Sequence, residues 1–288
     1  MREGAPRTVA GAGDVALATL PVSHGEGGPT VIAAHATGFI KELWLPVLSD
    51  LAEAVPAFEA ICFDHRAHGD SGAPPPPYDW WDLGRDVLAV VGGRSSVIGV
   101  GHSCGAAALA LAELMAPGTF ASLVLIEPII LPPGTEVPPD LPIATTARRR
   151  RVRFPSRDAA AAGWQSKEPF SRWDARVFEA YVAHALRQTA DGFELKCSPE
   201  SESAFYLSAF RLDAFATLGR LNLPVVLVAG EETEPHLRGM IDAIGSALPD
   251  VVSEVVPGGS HLAPMESPGF VAGLLAPLIA ERLRSDHR

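Results

Sequence analysis

The pentapeptide Gly101-His102-Ser103-Cys104-Gly105 is where the sequence best sets up a side chain for covalent chemistry. The apolar run Ser96–Val100 enters it and the segment Cys104–Met115 leaves it in a helical pattern, so the motif lies on a strand–turn–helix. Flanking glycines permit a turn too sharp for side chains, which leaves Ser103 standing alone at the C-terminal edge of a strand. The start of the following helix aims N–H groups and a positive dipole end at any negative charge that develops there. This is the arrangement of a nucleophile attacking a carbonyl; a tight glycine turn with a capping serine is the plain structural alternative. A dinucleotide site fits less well, because Gly99, Gly101 and Gly105 are one residue too widely spaced, and no phosphate-cradling GxxxxGK[ST] occurs.

The elements that must position Ser103 come from an alternation of short apolar runs with longer amphipathic stretches, the pattern of parallel βαβ units. Strands are predicted at Asp14–Leu20, Thr30–His35, Glu59–Phe63, Ser96–Val100, Ser122–Ile126, Val225–Ala229 and Val251–Val256. Helices are predicted at Leu43–Ala54, Trp80–Val91, Cys104–Met115, Pro235–Leu248 and Pro268–Arg284. The alternation breaks between Leu131 and Ala214, where a Pro-rich connector, LPPGTEVPPDLP, leads into Arg-, Trp- and Ala-rich helical stretches with no strong strand. The reading is therefore an α/β core of residues 1–130 and 215–288, interrupted by a helical lid at 131–214.

Composition narrows the partners. The 288 residues carry 23 Lys+Arg against 34 Asp+Glu, a net charge of −11, which argues against general nucleic-acid binding. No apolar run approaches the roughly 18 residues of a membrane span, and no apolar stretch follows a basic start as in a secretory signal. Cys62, Cys104 and Cys197 are scattered, without a CxxC metal spacing, and read as three reduced thiols. The expectation is a cytoplasmic protein, a monomer or homodimer, with no membrane or nucleic-acid partner.

Four landmarks occur in order: His35-Ala36-Thr37-Gly38-Phe39 after an early strand, FDHRAHGDSG from Phe63, the Ser103 pentapeptide, and Gly258-Gly259-Ser260-His261 near the C-terminus. Together they resemble the α/β-hydrolase fold superfamily over nearly all of the chain outside the insertion. The resemblance implies a mostly parallel central sheet flanked by helices, with the inserted helices capping the nucleophile. It implies oxyanion donors at the N–H groups of Thr37, or alternatively Ala36, and Cys104. It makes His261, which follows the last strand, the base that takes and returns the Ser103 proton. His35 then organises a loop, and Asp64, His65 and His68 belong to a structural loop rather than a metal site. No metal or cofactor is implied.

The acid departs from the commonest family pattern. The usual aspartate position, three residues after the glycine that closes the next-to-last strand, holds Thr233. Glu231, Glu232 and Glu234 lie near it, but each would need a shifted loop. Glu127 offers another place: it ends the strand Ser122–Ile126, as the acid does in haloalkane dehalogenases and certain lactonases. A buried carboxylate there is costly unless paired, and His261 would pair it. Glu127 is favoured, with the three later glutamates as alternatives; either choice keeps the order Ser…acid…His.

In the insertion, Trp164, Trp173 and Tyr181, with Phe39 and His102 from the core, are candidate lining for an apolar substrate pocket. They serve equally as the lid's own core. The arginines at 148–151, 153 and 157 form the one basic run, either pairing with core acids or binding an anionic group. The functional expectation is a serine hydrolase that cleaves a carboxylic ester or lactone through Ser103, His261 and Glu127, via an acyl-enzyme. A C–C bond hydrolase or a cofactor-free perhydrolase would share those residues. A non-catalytic ligand-binding protein is the rival from another class.

Overall fold

Strands covered on both faces need apolar side chains pointing both ways, and the Val-, Ile- and Leu-rich runs meet that need. The computed structural model describes residues 1–138 and 140–285; Pro139, inside the Pro-rich connector, lies outside the described residues. The chain begins β1 (Arg2–Glu3), β2 (Arg7–Ala10), β3 (Ala16–His24), β4 (Thr30–Ala34), α1 (Leu45–Ala54), β5 (Phe58–Phe63) and α2 (Trp80–Val91). It continues β6 (Val97–His102), α3 (Cys104–Met115) and β7 (Phe120–Ile126). After the insertion come β11 (Val225–Gly230), α8 (Pro235–Ala247), β12 (Val251–Val256), α9 (Ala263–Glu266) and α10 (Pro268–Ser285).

Among the described residues, nine strands form the main sheet in the order β1-β3-β5-β4-β6-β7-β11-β12, with β2 also paired to β3. Among the described residues of this sheet, all neighbours from β5 to β12 run parallel, and the pairings of β3 are antiparallel. Alternate residues feed two cores. Ile32 of β4, Leu123 and Leu125 of β7 and Leu227 of β11 pack with α2, α3 and α8, whereas Val31, Val100, Val124 and Val228 pack with α1 and α10. The expected α/β architecture, a mostly parallel sheet with helices on both faces, is thus the one observed.

Three departures concern strands, the first being β1 and β2, short and mostly exposed, which precede every predicted strand. β3 runs through Pro21 to His24, past the predicted end at Leu20. A proline usually ends a strand because it cannot donate to the ladder; here its carbonyl still accepts from the Gly4 N–H at 2.8 Å. The insertion is not purely helical either. Besides α4 (Pro142–Arg149), α5 (Arg157–Trp164), α6 (Ala175–His184) and α7 (Pro199–Ser208), it holds β8 (Arg153–Phe154), β9 (Leu186–Thr189) and β10 (Gly192–Leu195). These form a small antiparallel sheet ordered β8-β10-β9. The strands are two to four residues long and largely polar, so they carry no apolar alternation to read. A third apolar cluster joins this segment to the core, with Phe154, Trp173, Val177 and Tyr181 packed against Ile40, Leu43 and Met265. Among the described residues, no helix is long and apolar enough to cross a membrane.

Candidate active site

Ser103 occupies the single residue between β6 and α3, with φ 55° and ψ −116°. A non-glycine residue rarely holds such a conformation, and strain of this kind persists only where surrounding structure imposes it. Here the imposition is visible. The Ser103 N–H donates to the Ile126 carbonyl at 2.9 Å, tying the turn to β7. A Cβ on Gly101 would lie 2.7 Å from the Ala106 nitrogen, and one on Gly105 would lie 2.3 Å from the Ala34 carbonyl oxygen. The glycines therefore let α3 sit directly on the ends of β4 and β6.

Glu127 is the residue immediately after β7, fully buried and also at positive φ, 51°. Its N–H donates to the Val228 carbonyl at 2.8 Å, extending the β7–β11 pairing by one step. Its Oε2 lies 3.0 Å from Nδ1 of His261. The other oxygen, Oε1, accepts the Gly230 N–H at 2.7 Å and the Thr233 hydroxyl. With Nδ1–H given to Glu127, the His261 ring keeps its lone pair at Nε2, the form a general base requires. The His261 backbone is held as well, since Nε2–H of His102 donates to the His261 carbonyl at 2.7 Å. Burial and the neighbouring His261 push His102 down to about 3, so it donates as a neutral ring.

Two of the three alternative acids are engaged elsewhere. Glu231 accepts the Gly258 N–H at 2.8 Å, and Glu232 pairs with Arg172 at 2.7 Å. Glu234 stands exposed at the start of α8. The geometry brings Glu127, and not these three, to His261. The sequence shows Thr233 where the usual aspartate stands, but only the fold shows its hydroxyl donating to the Glu127 carboxylate.

The loop after β4 lies against the elbow. Thr37 and Cys104 are both buried, and the Cys104 thiol points at the His35 carbonyl at 3.6 Å. Burial pushes that thiol up to about 12, against the smaller effect of its hydrogen bonds to Thr37. His35 braces the loop: Nδ1–H donates to the Ala36 carbonyl at 2.8 Å, and Nε2 accepts the His65 N–H at 3.1 Å. Desolvation holds His35 well below its usual range, and takes His65 to about 3 and His68 to about 4. Asp64 anchors the far end of the loop, accepting the Lys41 N–H at 2.8 Å and its ammonium at 2.7 Å. Among the described residues, no group of three or more His, Cys, Asp or Glu could hold a metal ion.

Phe39, Trp173 and Tyr181 meet edge to face, with centroids 5.4 to 6.1 Å apart, and Trp164 adjoins Tyr181 at 5.3 Å. These rings form one packed cluster between the insertion and the loop after β4. Of the arginine run, Arg150 turns inward, bonding the Tyr181 hydroxyl at 2.9 Å and pairing with Glu202. Glu202 lies against the same loop: a Cβ on Gly38 would come within 2.8 Å of its Oε1. Nothing in the sequence spacing marked this pair, which is made by residues 52 positions apart.

A sequence model described as the alpha/beta hydrolase family matches residues 24–274. The 2-(acetamidomethylene)succinate hydrolase of Mesorhizobium japonicum is 26% identical over 88% of this chain and 89% of its own length. The abhydrolase domain-containing protein AKT2 of Alternaria alternata is 29% identical, but that match spans only 40% of the relative and 38% of this chain. Among solved structures, E-2-(acetamidomethylene)succinate hydrolase superposes with a TM-score of 0.78 at 21% identity, covering 96% of this chain and 99% of the other.

Proposed function

The chain belongs to the alpha/beta hydrolase family, and from that premise we propose that it is a serine hydrolase acting on a carboxylic ester or lactone. The observation that carries the reading is the 3.0 Å contact between Glu127 Oε2 and His261 Nδ1, made beside the strained turn that presents Ser103. Ser103 Oγ attacks the carbonyl carbon while its proton passes to His261 Nε2. Glu127 holds the ring in the required tautomer and stabilises the imidazolium. The N–H groups of Thr37 and Cys104 receive the oxyanion. Collapse expels the alcohol, protonated by His261, and leaves an acyl group on Ser103. Water, activated by the same histidine, then releases the acid.

The test uses short-chain aryl esters, a lactone panel and a serine-directed fluorophosphonate. The wild type is expected to label and to turn over, and Ser103→Ala to do neither. Glu127→Gln should fold normally and lose roughly 10³–10⁴-fold in kcat. Wild-type turnover in Glu127→Gln would remove Glu127 from the reaction. An absence of both labelling and hydrolysis in the wild type would favour a ligand-binding protein on this fold.

A further inference from the structure

The loops after β7 and β11 meet because their strands are parallel neighbours, with Ile126 opposite Val228. Glu127 leaves the first loop and Thr233 the second, and their side chains touch end to end. Thr233 is itself buried, and its N–H closes a turn onto the Gly230 carbonyl at 3.3 Å. That turn fixes where its Cβ points, and a β-branched side chain has few rotamers to choose from.

A glutamate carboxylate rotates easily about its last bond, where the torsional profile is broad and two-fold. Glu127 needs one oxygen turned to His261, so something must hold the other. The Gly230 N–H is a single donor and leaves the carboxylate free to swing about it. The Thr233 hydroxyl supplies a second donor to Oε1, and two donors on one oxygen resist its rotation more than one does. Resting on the reading of Glu127 as the acid, we propose that Thr233 is a positioning residue for the hydrolase reaction. It clamps Oε1 so that Oε2 faces His261 Nδ1. A chain with its acid after β7 thus uses the position normally given to the acid after β11 to orient the relocated one.

A donor that merely satisfied a buried acceptor would show in stability. A clamp shows in kcat at constant KM and is rescued by any hydroxyl of similar reach. Thr233→Ser is expected to stay within about threefold of wild type, whereas Thr233→Val should lose roughly ten- to a hundredfold in kcat, the worth of a hydrogen bond to a charged group. KM for the aryl ester should not move, and fluorophosphonate labelling of Ser103 should slow by the same factor. Thr233→Ala makes the same deletion without added bulk, should valine prevent folding. A fully active Thr233→Val or Thr233→Ala, or an equal loss in Thr233→Ser, overturns the proposal. The Glu127→Gln variant separates the two failures. If it turns over like wild type, the reading and the proposal fall together; if it is inactive beside a fully active Thr233→Val, only the proposal falls.

Discussion

At the scale of single residues, environment decides which of two adjacent nucleophile types is usable. Ser103 and Cys104 are neighbours in sequence, and a thiol is ordinarily the stronger nucleophile. Cys104 sits inside the first turn of α3, wholly buried, with its thiol pushed up to about 12 by desolvation. It therefore stays protonated, and a helix N-terminus alone does not activate it. Cys62 and Cys197 are buried too, and burial pushes both thiols up. Native protein incubated with a thiol reagent at neutral pH should show no fast-reacting group, and all three should react once it is unfolded. A rapidly modified thiol in the native state would contradict this account of Cys104.

At the scale of elements, the decisive contact is the seating of α3 on the sheet. Every residue from Cys104 to Leu114 is buried, and five of the twelve residues of the helix are alanine. Gly105 lies tightest, since a Cβ there would be 2.3 Å from one backbone oxygen and 2.6 Å from another. Backbone atoms in a central strand cannot yield as a flexible side chain does. Gly105→Ala should therefore cost about 2 kcal/mol or more, a fall in Tm of roughly 4–8 °C for a chain of this size. Gly273→Ala in α10, where a Cβ meets nothing within 4 Å, is the control and should be neutral or mildly stabilising. Equal Tm values for the two variants would rule out tight seating of α3. The same seating brings the loop after β4 against the elbow, so the helix sets site geometry as well as stability.

Across the whole molecule, charge is distributed by layer. The insertion meets the acidic core through Arg172 with Glu232 and Glu266, Arg176 with Asp50, and Lys196 with Asp70. These are not the arginines that stand out in sequence, of which Arg148, Arg149, Arg151 and Arg153 remain exposed. Inside, His35, His65, His68 and His102 are all held neutral by burial, below an ordinary value of 6.5. The unfolded chain accepts protons at these four sites as pH falls below about 6.5, while the folded chain refuses them until well below that, about 3–4 at His65, His68 and His102. Their contribution is full above that range and is lost on acidification. Asp64 acts oppositely: burial raises it to about 6 against the pull of Lys41, so the folded form gains a proton before the unfolded one. One such group offsets about one of the four histidines. The net expectation is a Tm that falls by more than about 5 °C between pH 7.5 and 5.5. A flat profile over that interval would mean the buried rings are solvated.

The sequence by itself determined the core strands, the elbow at Ser103 and the place of His261, because these depend on local signals. Apolar alternation, glycine spacing and order along the chain are all readable without contacts. It narrowed the proposed acid to two loops and favoured Glu127 over the later glutamates, on the cost of a buried unpaired carboxylate. Which glutamate faces His261 depends on β7 and β11 lying side by side, a pairing between segments about 100 residues apart. The tertiary structure alone decided that Glu127 turns inward while Glu231 and Glu232 bond at the surface. It also placed Thr233 on the carboxylate, Arg150 rather than its neighbours on Tyr181, and a small polar sheet inside the insertion. Those features rest on side-chain direction and long-range packing, which residue order does not encode in any short window. The sequence offered candidate residues, and the packing arranges them so that one carboxylate meets two donors and one histidine.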